Sequence, residues 1–363
     1  MERVIVFIIL ILSSLVSCSS GKKIHDESVP TVKLREFLTD LSGRSILFGH
    51  QDDLAYGIGW NSLPGESDVK RISGSYPAVF GWDLGNIGDA NNLDGVPFDS
   101  IKVYITRAHH MGGINTISWH ARYPVTNFDA WNLTSIDVPS LLPGGKSHLQ
   151  FLKELDLVAA FIETLIDDSG KPIPVIFRPW HEMYGNWFWW GSATCSDDEY
   201  RQLFCFTVDY LRNIRGLTNL LIAFSPDKNF DSKEDYLKRY PGDDVVDVLG
   251  LDDYGDFKQN RLDLIVIRLG IVADLAREKG KISAFTETGS DKLEISNWYT
   301  SSLLQVLNAS EKTRQVSYVM VWRNRDLTHF YVPFAGHEQA EDFRTFVNDK
   351  LIFLLDDVKT MNQ

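Results

Sequence analysis

The sequence predicts an α/β protein, a (β/α)8 TIM barrel folded as one domain, and two observations carry that prediction. From residue 32 onward, short apolar runs alternate with longer amphipathic stretches, the pattern of βα units around a parallel sheet, and eight such runs can be counted. Each run also begins apolar and finishes in polar or aromatic residues. In a barrel those C-terminal ends converge on one face, where active sites of this fold form. An open doubly wound sheet would advertise a Gly-rich phosphate turn after its first strand, and none is present.

The strands are expected at 45–51 (SILFGHQ), 76–84 (YPAVFGWDL), 112–120 (GGINTISWH), 174–182 (PVIFRPWHE), 220–227 (LLIAFSPD), 245–254 (VVDVLGLDDY), 282–289 (ISAFTETG) and 316–324 (VSYVMVWRN). Helices are expected between them at 98–111, 148–167, 197–214, 260–279 and 295–308, with a last one near 339–349. The third has a readable start: Ser196 as N-cap, Glu199 as its capping-box partner and acids in the first turn. Cys195 and Cys205 flank that start. Ten residues along a helix span about 15 Å, too far for a disulfide between them, and both are read as free thiols.

Composition narrows the function. With 44% hydrophobic and 23% charged residues the chain is an ordinary globular one. Its net charge of -13 and lack of any basic run exclude a nucleic-acid partner. Residues 4–16 (VIVFIILILSSLV) are apolar but short for a membrane span and read as the core of an export signal. The following LVSC resembles the lipobox of bacterial lipoproteins, which divides the chain into a signal peptide (1–17), a polar tether (18–30) beginning at a lipidated Cys18, and a barrel (31–363). The expectation is an exported monomer held to a membrane only through its lipid, in the outer membrane of a Gram-negative bacterium, facing the periplasm or the cell surface.

Two acids stand out because each closes an apolar strand: Glu182 on the fourth and Glu287 on the seventh. Glycosidic bond cleavage needs such a pair across a cleft, one to protonate the leaving oxygen and one to attack or to activate water. Glu182 sits among Trp180, Trp187, Trp189 and Trp190, where desolvation would keep it protonated as the acid. Glu287 lies beside hydroxyl groups in FTETG, within reach of a hydrogen bond from Tyr254 that would suit a nucleophile. The rings have a use of their own, since sugar C–H faces stack on indoles and phenols. Alternate members of WFWW are expected in the core, with Trp187 as the sugar contact. No metal or cofactor is expected: His109 and His110 fall on a predicted helix, and HEMYG lacks the second histidine of a zinc protease.

Taken together, FRPWHEMYGNWFWWG, GHQDD after the first strand, SWH after the third, YPGDDVVDVLGLDDY, FTETG and VWRN resemble glycoside hydrolase family 26, best known for β-mannanases, over about residues 32–350. The resemblance implies an endo-acting, retaining β-1,4-mannanase acting on mannan or galactomannan, with Glu182 as acid/base and Glu287 as nucleophile. It further implies that His120, Trp187, Tyr254 and Trp322 line the sugar site beside the scissile bond, that Arg323 meets the next sugar, and that His181, just before the acid, and Asp252, near the same cleft, belong to the substrate-binding set. His181 stands where most related barrel glycosidases carry asparagine. Family members acting on β-1,3-xylan or mixed-linkage β-glucan share this core and are the alternative substrates. A carbohydrate-binding lipoprotein without catalysis would keep the rings but have no need of both acids.

Overall fold

The computed structural model describes residues 26–361. The eight barrel strands are β1 (Ile46–Gln51), β2 (Val79–Asp83), β3 (Ile114–Trp119), β4 (Val175–Pro179), β5 (Leu220–Phe224), β6 (Val248–Leu249 continuing as Asp252–Asp253), β7 (Ile282–Ser283 continuing as Phe285–Thr288) and β8 (Tyr318–Val321). All their pairings are parallel. β1 through β5 pair in chain order. The first half of β6 pairs with β5 and β7, and its second half with β7. β8 then joins β7 to β1 and closes the ring. The predicted barrel is borne out.

Strand alternation sorts the side chains. Leu47, Val79, Ile176, Leu221, Val248, Ile282, Tyr318 and Met320 form one buried cluster together with Leu34, Leu38 and Leu41 of the helix Val29–Leu41. That cluster fills the barrel's interior, and the helix plugs its N-terminal end. Space there is tight: a Cβ on Gly49 would sit 3.0 Å from both Met320 and Val79. The outward-facing residues, among them Phe48, Phe80, Phe177 and Phe285, pack against the surrounding helices in a second, larger core.

The helices follow the expected positions, at Phe98–His110, His148–Glu163, Asp197–Asp209, Leu262–Lys279 and Ala340–Val347. The Ser196–Glu199 capping box forms as read. The stretch expected at 295–308 is instead a π-helical turn, Tyr299–Leu303, running into the short helix Leu304–Leu307. The first strand ends at Gln51 as expected, and the other seven end earlier. β4 stops at Pro179 because Trp180 and Glu182 take left-handed backbone conformations, with φ of 54° and 55°, which no extended strand accommodates.

Cys195 is buried and free. Cys205 is buried, its sulfur 3.5 Å from the Pro241 carbonyl. The export signal, the tether as far as residue 25 and Cys18 lie outside the described residues.

Candidate active site

Past the apolar layers the barrel interior turns polar. Val79 is followed two residues on by Gly81 and then Asp83, and Ile176 by Arg178, so the alternation that lines the core also delivers Asp83 and Arg178 inward. β7 departs from this rule usefully. The backbone N–H groups of Thr286 and Glu287 both point to the carbonyl of Leu251, at 2.9 and 3.4 Å, and the register shifts here. Such a bulge re-aims a side chain, and Thr286 and Glu287 both find partners inside the barrel. Thr286 donates to Asp252 at 2.6 Å. Glu287 accepts from the Arg178 guanidinium and, at 2.8 Å, from the Tyr254 hydroxyl.

Arg178 is 3% exposed and Glu287 5%. The other arm of Arg178 donates to Asp252 at 2.6 Å. Burial opposes its charge, but Asp252 and Glu287 outweigh that and raise its pKa, so the cation persists beside Glu287. Asp252 is pushed up to about 7 by burial, with Arg178 opposing and Glu287 adding to the rise.

Glu182 has different surroundings. Its carboxylate accepts from the Trp187 indole, whose Nε1–H donates at 2.7 Å. Burial first, then the charges of Glu287, Asp252 and Asp227, push its carboxyl well above the usual range. The two acids are therefore unlike, one held by a cation and a phenol, the other made hard to ionise.

Glu182, Glu287, His120, Trp187, Tyr254 and Trp322 all line one cavity of about 510 Å³ at the C-terminal face. His181 and Asp252 stand behind that wall. His181 lies 3.3 Å from His120, Nε2 to Nε2. Burial lowers the His181 pKa strongly, helped by Arg178 and His120. Burial also works against charge on His120, but Asp83, 2.7 Å from its Nδ1, reverses the balance and raises it. Of the two rings, His120 is therefore the one whose charged form is favoured and His181 the one whose charged form is disfavoured. Arg323 is not on the cavity wall; its guanidinium meets Asp94 at 2.8 Å and the Tyr56 hydroxyl at 3.3 Å.

Sequence reasoning missed Arg178, Asp83 and Trp131. Trp131 is 48% exposed and stacks on His120 with ring centroids 5.2 Å apart, on the cavity wall. It lies in a long loop with no pattern to mark it. The WFWW expectation is corrected in part: Trp187 is 36% exposed, but Phe188, Trp189 and Trp190 are all buried instead of alternating. Their rings pack on one another and on Trp180, and this aromatic wedge sits behind the acid.

Two unlike carboxylic acids in an aromatic-walled cleft on the C-terminal face of a barrel make this a site of the glycoside-hydrolase kind. Residues 25–301 match the model of glycosyl hydrolase family 26, and the chain belongs to that family. It is similar to a GH26 beta-mannanase from Bacteroides ovatus, with a TM-score of 0.87 and 41% identity over 91% of this chain and 96% of that one. The modular endo-beta-1,4-mannanase of Cellulomonas fimi superposes with a TM-score of 0.86 at 36% identity, covering 92% and 77% of the two chains. A mannan endo-1,4-beta-mannosidase of Bifidobacterium adolescentis is 35% identical over 377 residues, 95% of this chain and 37% of that protein. The chain thus spans well under half the length of that curated relative.

Proposed function

We propose that this protein is an endo-acting β-1,4-mannanase working by double displacement with retention. The observation that carries the proposal is the contrast between Glu182 and Glu287 on the walls of one cavity. Glu287, facing Arg178 and Tyr254, attacks the anomeric carbon while Glu182 gives its proton to the departing glycosidic oxygen. Glu182, now ionised, takes a proton from water, which attacks the same carbon and releases Glu287. Trp187, Trp322 and Tyr254 offer ring faces or a hydroxyl to the sugar at the scissile bond, with His120 held toward it by Asp83 and His181. The similarity to mannanases named above supports mannan as the substrate.

Incubation with linear mannan, galactomannan, β-1,3-xylan and lichenan tests the reading. Mannan and galactomannan should be cut, with viscosity falling ahead of reducing-sugar release. Activity confined to β-1,3-xylan or lichenan overturns the substrate, and disaccharide release without viscosity loss overturns the endo mode.

The location proposed is a lipid-anchored one, resting on the LVSC motif alone. Cys18→Ala should turn a membrane-associated protein into a soluble or unprocessed one with unchanged intrinsic activity. Recovery of Cys18 in a disulfide-linked peptide from the membrane-derived protein, or a variant that stays in the membrane, overturns it.

A further inference from the structure

We infer that Arg239 is a positioning residue: from the far side of the β5–β6 connection it fixes the loop that sets Trp187 against Glu182. This rests on the proposed role of Glu182 and goes beyond it.

Arg239 follows the short helix Lys233–Leu237 and is 3% exposed. Its guanidinium reaches three carbonyls of a single loop. Nη1 donates to Met183 at 2.9 Å and to Trp190 at 3.5 Å, and Nη2 donates to Cys195 at 2.5 Å. Nε donates to Asp197 at 2.7 Å, at the start of the next helix. The group lies 6.0 and 5.6 Å from the ring centres of Tyr184 and Tyr200. A planar fork of five donors suits several carbonyls at once, and an ammonium does not replace it.

The three carbonyls bracket Trp187, and the first belongs to the residue after Glu182. This stretch has little regular structure of its own, and it starts with two non-glycine residues in the left-handed region. Such conformations persist only where the surroundings over-determine them, and here several neighbouring backbone groups are held. The Trp180 carbonyl accepts from Tyr200 at 2.8 Å and that of His181 from the Trp190 indole at 2.8 Å. The Glu182 N–H donates to Ser225 at 2.8 Å. The Gly185 N–H donates to the Glu182 carbonyl at 3.0 Å, closing a turn just after the acid. Removing the guanidinium would leave the buried carbonyls of Met183, Trp190 and Cys195 without their donor. The loop between them would relax, taking the indole away from Glu182.

Arg239→Met and Arg239→Lys test this, measured well below their melting temperatures. The readouts are kcat/KM on mannan, kcat/KM on an aryl mannoside with an activated leaving group, and the basic limb of the mannan pH profile. A misplaced acid should cost mannan cleavage on the order of 10²-fold and the aryl substrate, which needs little protonation, much less. The basic limb should be displaced, and Arg239→Lys should fall between Met and wild type. A merely structural arginine would lower the melting temperature and leave both the substrate ratio and the limb unchanged, which overturns the inference. Should Arg239→Met not fold, the Lys variant decides by the same two readouts. Glu182→Gln is the control: if it still cleaves mannan, the acid/base reading fails and this inference falls with it.

Discussion

The indole N–H of Trp187 donates to Oε2 of Glu182 at 2.7 Å, so the ring offered to the sugar also touches the acid. The two roles are separable. Trp187→Phe keeps a ring face and removes the donor. Because that hydrogen bond favours the ionised carboxyl, its loss raises the Glu182 pKa further, and kcat/KM should persist to higher pH than in wild type. Trp187→Ala loses the face as well, and KM should then rise several-fold. A basic limb that stays put in Trp187→Phe would show that the hydrogen bond is absent in solution.

Arg178 bridges two buried carboxyls, those of Asp252 and Glu287. Removing one partner of a buried ion pair costs about 3–5 kcal/mol, and here Arg178→Met strands both Asp252 and Glu287. Unfolding by urea at pH 8 should show a loss of about that size. The loss should shrink toward pH 5, since Asp252, already pushed up to about 7 with Arg178 present, can then take a proton and remove the repulsion. Equal losses at both pH values would mean that packing, and not charge, is what Arg178 supplies.

Asp227 carries a testable linkage. Burial pushes its carboxyl up to about 6, against the lowering influence of nearby backbone N–H groups, of which that of Asn229 donates to it at 3.0 Å. An acid whose folded pKa exceeds its unfolded value of about 3.9 binds more protons when folded. Its cost is absent below pH ~4, develops as pH rises, and is complete above about 6. Two units correspond to about 3 kcal/mol as an upper figure. Asp227→Asn keeps an oxygen for the Asn229 N–H and drops the charge. Its stability relative to wild type should therefore grow between pH 4 and 6 and then level off. It should also move the basic limb of the rate profile to lower pH, because the Asp227 charge is one of those raising Glu182. A pH-independent difference would refute the linkage.

How much of this was legible in the sequence depends on periodicity. The barrel was readable because eight apolar runs with polar ends can be counted, and Glu182 and Glu287 because each ends such a run. Tyr254 was readable as a partner of Glu287, and the structure has that bond. Arg178 carried a usable signal that went unread: a lone cation two residues beyond Ile176, hence on the inward face of an otherwise apolar strand. The β7 bulge carried none, since nothing in FTETG says that two neighbouring side chains both turn inward. Trp131 and Arg239 reach the site from connections whose course is set by long-range packing, and local pattern does not encode that.

Double displacement predicts that Glu182 and Glu287 fail differently. Glu287→Ala removes the nucleophile, so the glycosyl-enzyme cannot form for any substrate, however good the leaving group. Glu182→Ala removes proton donation in the first step and base assistance in the second. An activated aryl mannoside needs little protonation, so its first step should survive while mannan cleavage collapses. The covalent intermediate should then accumulate, visible as a burst of aryl alcohol and as added mass on the protein. Azide needs no general base and can attack the intermediate in place of water. It enters on the face that the leaving group vacated, opposite the Glu287 ester bond, so the product keeps the β configuration. Azide should therefore speed turnover of the Glu182 variant and yield a β-mannosyl azide, and leave Glu287→Ala without that product. An α-mannosyl azide from Glu182→Ala, or near-normal turnover of the aryl substrate by Glu287→Ala, would require the two roles to be reassigned.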